Sequence, residues 1–202
     1  MVSILVFVFA FIALFAFSGV EVFAKTIAND KGSVIISKTE VVNDDLFIGA
    51  QTVEIAGTVN GDVFIGAQTV KITGIINGNL HVGANTIDIS GKIKGNVYAG
   101  GQSILVNASS IGGSLLIGGA TINVDNNSVI GGSIIAGAGT ISVDSVVKRS
   151  VYAGAGSITI GESASIGKDL YYSSDNTQDG VNISAKAKIA GGVYKSEVPV
   201  KQ

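Results

Sequence analysis

Apolar residues in this chain recur in pairs spaced two apart, with glycine and asparagine between the pairs. In residues 61–78, GDVFIGAQTVKITGIING, the apolar positions are Val63, Ile65, Val70, Ile72 and Ile76. Alternation with a period of two is the signature of a β-strand, and glycine and asparagine favour turns. The segment therefore predicts three short strands joined by three corners, with glycine supplying positive φ angles at the corners.

The same unit repeats along most of the chain at a short interval. Successive copies begin at the polar or small residues Asp45, Asp62, Asn79, Asn96, Ser114, Ser133, Ser150, Asp169 and Gly192. These starts lie 17 to 19 residues apart, except for a last step of 23. A unit this short cannot bury its own apolar face, so the copies must stack. The repeat predicts an all-β, single-stranded β-helix, or β-solenoid, over residues 45–195. It should have about eight to nine rungs, where a rung is one full turn of the chain.

Stacking requires that equivalent positions stay apolar from rung to rung. The first strand supplies the column Leu46, Val63, Leu80, Val97, Leu115, Ile134, Val151, Leu170 and Val193. The third strand supplies the column Val59, Ile76, Ile93, Ile111, Ile130, Val147, Ile166 and Ile189. The middle strand supplies two more columns, one of which contains Ile55, Ile72 and Ile89. We expect these columns to form one continuous core along the solenoid.

The repeat resembles a known family. The pattern G-D-V-x-I-x-x-x-x-V-x-I-x-G-x-V-N-G is similar to that of the bactofilins, the bacterial polymer-forming cytoskeletal proteins. The resemblance covers about residues 45–194, roughly three quarters of the chain. It implies a right-handed triangular β-helix that assembles end to end into filaments without nucleotide, and it carries over no catalytic residue. The familiar members of this family are cytoplasmic.

The start of the chain departs from those members. Residues 2–20 form an apolar run without a charge, which predicts a hydrophobic helix. Residues 1–24 are then a signal peptide cut after Ala24 or an uncleaved membrane anchor, with a buried core helix as a further alternative. Residues 25–44 are interpreted as an N-terminal cap or linker, with a flexible tether as the alternative, and residues 196–202 as a short tail. We therefore expect an exported protein of the cell envelope or the extracellular space, membrane-anchored if the segment is retained.

Two groups of residues are candidates for contacts with partners. One is an outward column on the first strand, predicted to be a lateral stripe in which rings stack on rings or bind a partner: Phe47, Phe64, His81, Tyr98, Tyr152, Tyr171 and Tyr194. The other is a candidate polymer contact at the C-terminal end: Leu170, Tyr172 and Val193. The polar column that begins with Asp45, Asp62 and Asn79 is interpreted as local Asx turns at the corners rather than as a metal ladder.

Composition excludes several classes of function. The net charge is −2 and 14% of residues are charged, which argues against the basic face of a nucleic-acid-binding protein. The chain has no cysteine and a single histidine, His81, so no thiolate or three-histidine zinc site can form. No motif brings a nucleophile, a base and an acid together. We expect no catalytic residue, no metal and no cofactor.

These observations predict a non-enzymatic structural protein that self-assembles end to end into filaments or a scaffold at the cell envelope. The alternative is a monomeric exported β-helix that binds carbohydrate or a protein partner along the aromatic stripe. Expected partners are other copies of the chain and the membrane through residues 2–20 if they are retained. Cell-wall carbohydrate is a further candidate partner, and nucleic acid is not expected.

Overall fold

A computed structural model describes residues 24–174 and 180–195 of the chain. The regular elements in these ranges are all β-strands. In chain order they are β1 (Ala24–Ile36), β2 (Val41–Val42), β3 (Asp45–Ile55), β4 (Thr58–Val59), β5 (Val63–Ile72), β6 (Ile75–Ile76), β7 (Leu80–Ile89), β8 (Lys92–Ile93), β9 (Val97–Val106), β10 (Ser110–Ile111), β11 (Leu115–Val124), β12 (Val129–Ile130), β13 (Ile134–Val143), β14 (Val146–Val147), β15 (Val151–Ile160), β16 (Ser165–Ile166), β17 (Leu170–Ser173), β18 (Val181–Ile183), β19 (Lys188–Ile189) and β20 (Val193–Lys195).

The strands form two parallel sheets that run the length of the molecule. The long strands make an eleven-stranded sheet in the order β1-β3-β5-β7-β9-β11-β13-β15-β17-β20, and β18 also pairs with β15. The two-residue strands make a nine-stranded sheet in the order β19-β16-β14-β12-β10-β8-β6-β4-β2. Each strand pairs with its equivalents in the preceding and following repeats, so the chain winds as a β-solenoid. The repeat region makes about eight rungs, which confirms the predicted stacked, all-β architecture.

Residues 25–44, interpreted from sequence as a cap or linker, form together with Ala24 one further rung at the N-terminal end. Strand β1 pairs with β3 from Ala24 opposite Asp45 to Ile36 opposite Ile55, with a shift of register between Asn29 and Ser33. Strand β2 pairs with β4. The Nζ of Lys25 donates a hydrogen bond to Oε1 of Glu40 at 2.9 Å, and this ion pair lowers the pKa of the Glu40 carboxyl.

One hydrophobic core lies inside the solenoid, and its members are the predicted columns. Val63, Ile72 and Ile76 are fully buried, and so are most of their equivalents in the other rungs. The register aligns like with like, since Val63 lies opposite both Leu46 and Leu80. Burial of a Val, Ile or Leu side chain contributes about 1.5–3 kcal/mol, so each rung is stabilised mainly by these stacked aliphatics.

The long strands turn a corner without interruption. In β5, Val63 and Ile65 are buried, Gln68 and Thr69 are both exposed, and Val70 is buried again. Two successive outward side chains shift the alternation by one residue, so the strand passes from one face of the solenoid to the next. The sequence predicts three strands in each rung, whereas the structure has one long bent strand and one short strand.

The corner glycines have a different role from the one predicted. No glycine in the described ranges has a positive φ, and the one residue that does is Ala108 at 48°. A Cβ added to Gly74 would instead collide with the carbonyl oxygen of Gly57 in the rung below. Glycine is therefore required at position 74 because these two rungs stack backbone on backbone, with no room for a side chain.

The last repeat is irregular. Strand β15 pairs with β17 over its first half and with β18 over its second half, so the long strand is split at this rung. The polar insertion predicted at residues 173–180 falls at this split, and its central residues lie outside the described ranges. The predicted hydrophobic helix at residues 2–20 also lies outside them. The described part of the chain has no helix that could span a membrane.

Candidate functional site

A ridge of stacked side chains runs along the outside of the solenoid. From Phe47 to Tyr152 each member lies on the first half of a long strand, between two buried residues, and Tyr171 and Tyr194 continue the column on the short strands β17 and β20. The ridge consists of Phe47, Phe64, His81, Tyr98, Leu116, Ile135, Tyr152, Tyr171 and Tyr194, which the register places in one continuous column. Five of its members are more than a third exposed: Phe47, Tyr98, Ile135, Tyr152 and Tyr194.

The aromatic members stack face to face in two runs. From Phe47 through Phe64 and His81 to Tyr98, ring centroids lie 4.5, 4.6 and 4.7 Å apart, with interplanar angles of 4–8°. Tyr152, Tyr171 and Tyr194 continue the pattern at 4.9 and 5.1 Å. Such pairs add about 0.5–1.5 kcal/mol each beyond their buried area. The predicted stacking along the solenoid is thus present, and Leu116 and Ile135 separate the two runs.

Stacking determines which part of each ring a partner can reach. The face of an inner ring such as Phe64 is covered on both sides, by Phe47 and by His81. Sugar rings dock through C–H groups on the electron-rich face of an aromatic ring, and that face is free only at the ends of each run. The ridge therefore presents ring edges, which form an apolar rib rather than a set of sugar platforms.

A column of exposed glycines lies beside the ridge, two residues further along each strand. It consists of Gly49, Gly66, Gly83, Gly100, Gly118, Gly137 and Gly154, and we name it the glycine column. A Cβ added at any of these except Gly118 would have no heavy atom within 4 Å, and at Gly118 its nearest atom would be 3.9 Å away. These glycines differ from the corner glycines, because neither crowding nor a positive φ requires them.

The ridge and the glycine column together form an open groove. Over the first rungs the groove has a volume of about 510 Å³, with Phe47, Phe64 and His81 as its wall and Gly49, Gly66 and Gly83 along its floor. Glycine inside a strand costs roughly 0.5–1 kcal/mol relative to alanine, and it often marks a place where another chain or a ligand approaches the backbone closely. Seven such glycines in one open column make the groove the leading candidate for a functional surface.

The ridge and the glycine column also lack acidic residues, lysine and arginine. Neither column contains Asp, Glu, Lys or Arg in any rung from Phe47 to Tyr194. Desolvation beside its neighbours, followed by the charge of Asp169, raises the pKa of the Tyr171 phenol above its ordinary value. The phenol of Tyr171 therefore stays protonated at neutral pH, and no Asp, Glu, Lys or Arg in either column adds charge repulsion to a contact.

The candidate polymer contact lies in the last two rungs. Leu170 is fully buried under Val193, its partner on β20, so it cannot itself touch another molecule. Tyr172 is half-buried opposite Lys195, whereas Val193 is 47% exposed. Of the three predicted residues, Val193 is therefore the one that the terminal rung presents to solvent.

The two ends of the described stack differ in how well they cover the core. In the first rung the inward residues Val34, Ile36 and Val42 are at most 7% exposed, and a fourth inward residue, Ile27, is partly buried. In the last rung the corresponding residues Val181, Ile183 and Ile189 are only partly buried. The C-terminal end thus leaves part of the apolar core open.

The polar column at the first corner has a structural role. Oδ1 of Asp45 accepts a hydrogen bond from the backbone N–H of Asp62 at 2.7 Å, and Oδ1 of Asp62 accepts one from Asn79 at 2.7 Å. Asn79 and Asn96 continue the same pattern. The predicted local Asx turns are wrong at these positions, because each side chain bonds the backbone of the next rung. Within the described ranges no three His, Cys, Asp or Glu side chains group as metal ligands.

The regular spacing of the glycine column is present in the sequence, but the other glycines of the repeat obscure it. Glycine follows the ridge residue by two positions from Phe47–Gly49 to Tyr152–Gly154. The corners contain more glycines than this column does, and these are crowded by neighbouring rungs, so glycine content alone does not separate the two kinds.

Comparisons with family models, with curated proteins and with solved structures found no match to this chain.

Proposed function

We propose that the chain is a non-enzymatic structural protein that assembles end to end into filaments or a scaffold at the cell envelope. The observation that carries this proposal is the C-terminal rung, where Val193 is exposed and Ile183 and Ile189 are incompletely covered. The resemblance to bactofilins supports the same function. It also implies that the solenoid is right-handed, and we include this handedness in the proposal.

Strand edges supply the second argument. Strands β1 and β2 at one end, and β18, β19 and β20 at the other, each pair on one side with a strand in the described ranges. An open edge presents unpaired N–H and C=O groups that readily accept a strand from another molecule. Because the rungs are nearly equivalent, the end of one copy offers another copy an edge much like its own next rung. Assembly of this kind requires neither nucleotide nor metal, since backbone hydrogen bonds and apolar contact supply the affinity.

A charge placed on the terminal rung tests the proposal. We expect Val193→Glu to abolish filaments, because a carboxylate would be desolvated at the contact between ends. Val146→Glu is the matched control, since Val146 is exposed to a similar extent on the short-strand sheet in the middle of the solenoid. Sedimentation at matched concentration and electron microscopy are the measurements, with a thermal melt to show that both variants fold.

Two outcomes would count against the proposal. Filaments of Val193→Glu as abundant as those of the wild type would move the contact away from the C-terminal rung. A wild-type protein that stays monomeric at high concentration would exclude end-to-end assembly altogether. That second result would favour the alternative, a monomeric exported rod that binds a partner along the ridge. The exposed ridge supports a protein partner in that case, whereas the covered ring faces disfavour carbohydrate.

The cellular location belongs to the same proposal. The uncharged run at residues 2–20 supports export, with residues 1–24 removed as a signal peptide or retained as a membrane anchor. Mass spectrometry of the protein from fractionated cells is the test. We expect a mature N-terminus at Lys25 outside the cytoplasm. An intact Met1 in the membrane fraction would show an anchor, and an intact soluble chain in the cytoplasm would contradict export.

A further inference from the structure

The ridge and the glycine column lie side by side along the same face of the solenoid. Ridge residues such as Phe64 and floor residues such as Gly66 are two positions apart on one strand, which separates the two columns by about 7 Å. Both columns repeat once per rung, at the spacing of hydrogen-bonded strands, about 4.8 Å. One face of the molecule thus carries an apolar rib and, parallel to it, an empty groove with the same repeat.

We propose that this face docks on the same face of a second copy, with the ridge of each molecule lying in the groove of the other. A two-fold axis parallel to the solenoid, midway between the two columns, exchanges ridge and groove. The two copies then run in the same direction. A two-fold axis across the solenoids would place ridge against ridge and leave both grooves empty. The shape of the face therefore selects the parallel arrangement, in which the contact is isologous.

The glycine column is what makes this docking possible. Side chains at Gly49, Gly66 and Gly83 would fill the space that the partner's ring edges enter, although each position has room for one. The fold itself does not need glycine there, as the open surroundings and the absence of positive φ among the described glycines show. The uncharged character of both columns removes the repulsion that two like surfaces would otherwise meet.

The area of the face indicates when the contact forms. Eight rungs at about 4.8 Å and two columns about 7 Å apart give a strip of roughly 270 Å² on each copy. A stable pair of proteins buries about 800 Å² per partner, so two isolated molecules should not stay together. The strip lengthens with every copy added end to end, and the contact between two filaments therefore strengthens with their length. This inference rests on the proposed filament: the ridge and groove pair filaments laterally, while the terminal rungs build each filament.

The test fills the groove without disturbing the core. The variant Gly49→Thr, Gly66→Thr, Gly83→Thr adds three side chains that favour strands, so its melting temperature should equal or exceed that of the wild type. The matched control is Ile75→Thr, Val129→Thr, Val146→Thr, at three exposed positions of the short-strand sheet. We expect paired filaments for the wild type and the control, and single filaments for the groove variant. Electron microscopy gives filament width, which separates paired from single filaments.

Each outcome bears on one of the two proposals. Single filaments of the groove variant beside paired control filaments would support ridge-in-groove docking. Paired filaments of the groove variant, or wild-type filaments that never pair, would overturn it and leave end-to-end assembly standing. A wild type that forms no filaments would overturn end-to-end assembly, and lateral docking would fall with it. Paired filaments in which neighbours run in opposite directions would also contradict the arrangement proposed here.

Discussion

At the scale of single residues, the buried serines at the corners show that a side chain must match the hydrogen-bonding groups of the adjacent rungs. Ser109 and Ser145 occupy equivalent buried positions in different rungs. Oγ of Ser109 donates a hydrogen bond to the carbonyl oxygen of Gly91 at 2.9 Å. Oγ of Ser145 is buried without a hydrogen-bond partner. The next rung has Ala164 at the same position, also buried, so the site accepts a methyl group.

We expect Ser145→Ala to raise the free energy of unfolding by roughly 1 kcal/mol, because it removes an unsatisfied buried hydroxyl. The matched change Ser109→Ala should lower it by about 1 kcal/mol, since it deletes a satisfied hydrogen bond. Urea unfolding followed by circular dichroism measures both. A loss of stability in Ser145→Ala would mean that the hydroxyl has a partner after all.

Inward residues are the part of the molecule that sequence predicts best. Val63 and Ile65 are apolar at alternate positions of one strand, and this alternation places both side chains inside. Because the same positions are apolar in other rungs, an exception in one rung does not change the prediction. Hydrogen-bond partners are harder to predict. The carboxylate of Asp62 is equally suited to accept a hydrogen bond from the backbone of its own corner or from that of the next rung. The distance between stacked rungs, which the sequence does not contain, favours the next rung. Leu170 illustrates the same limit, because its exposure depends on whether β20 covers it.

At the scale of elements, each rung is one long strand that bends and one short strand. The bend falls at Gln68 and Thr69 in β5, where two outward residues follow each other. The sequence predicts this corner from the break in alternation, but not that strand pairing continues through it. Continuous pairing makes the long strands the main connection between rungs, and the two-residue strands only close each turn of the chain.

Two sets of glycines serve these elements in opposite ways. Gly57, Gly74 and Gly91 permit close stacking at one corner of the first rungs, where an added Cβ would collide with the backbone of the preceding rung. Gly66 and its equivalents leave the outside of the long strands bare. Both sets recur at the interval of the repeat, so the sequence alone assigns them the same role. Only the surroundings of the missing Cβ separate a glycine that the fold requires from one that keeps a surface open.

At the scale of the whole molecule, the solenoid is a stack in which each rung contacts only its neighbours. The free energy of unfolding is then a sum of contributions from each rung and from each interface between rungs. A substitution that disrupts one rung therefore affects the adjacent rungs first. The inner rungs are covered on both sides. The last rung is covered on one side, and its inward residues are partly exposed. The position of a core substitution along the stack should therefore decide how much of the molecule unfolds.

Two aspartates placed in the core test this expectation. Ile72 is fully buried in an inner rung, so Ile72→Asp should cost at least about 3 kcal/mol and open several rungs on either side. Ile189 is partly buried in the last rung, so Ile189→Asp should loosen residues 180–195 and leave the inner rungs protected. Hydrogen exchange measured by mass spectrometry gives the extent of opening along the chain, and thermal melting gives its cost. An unchanged melting curve for Ile72→Asp would show that the residue does not point inward. Equally wide opening in both variants would show that the stack unfolds as a single unit, so that its two ends could not be altered independently of the rungs between them.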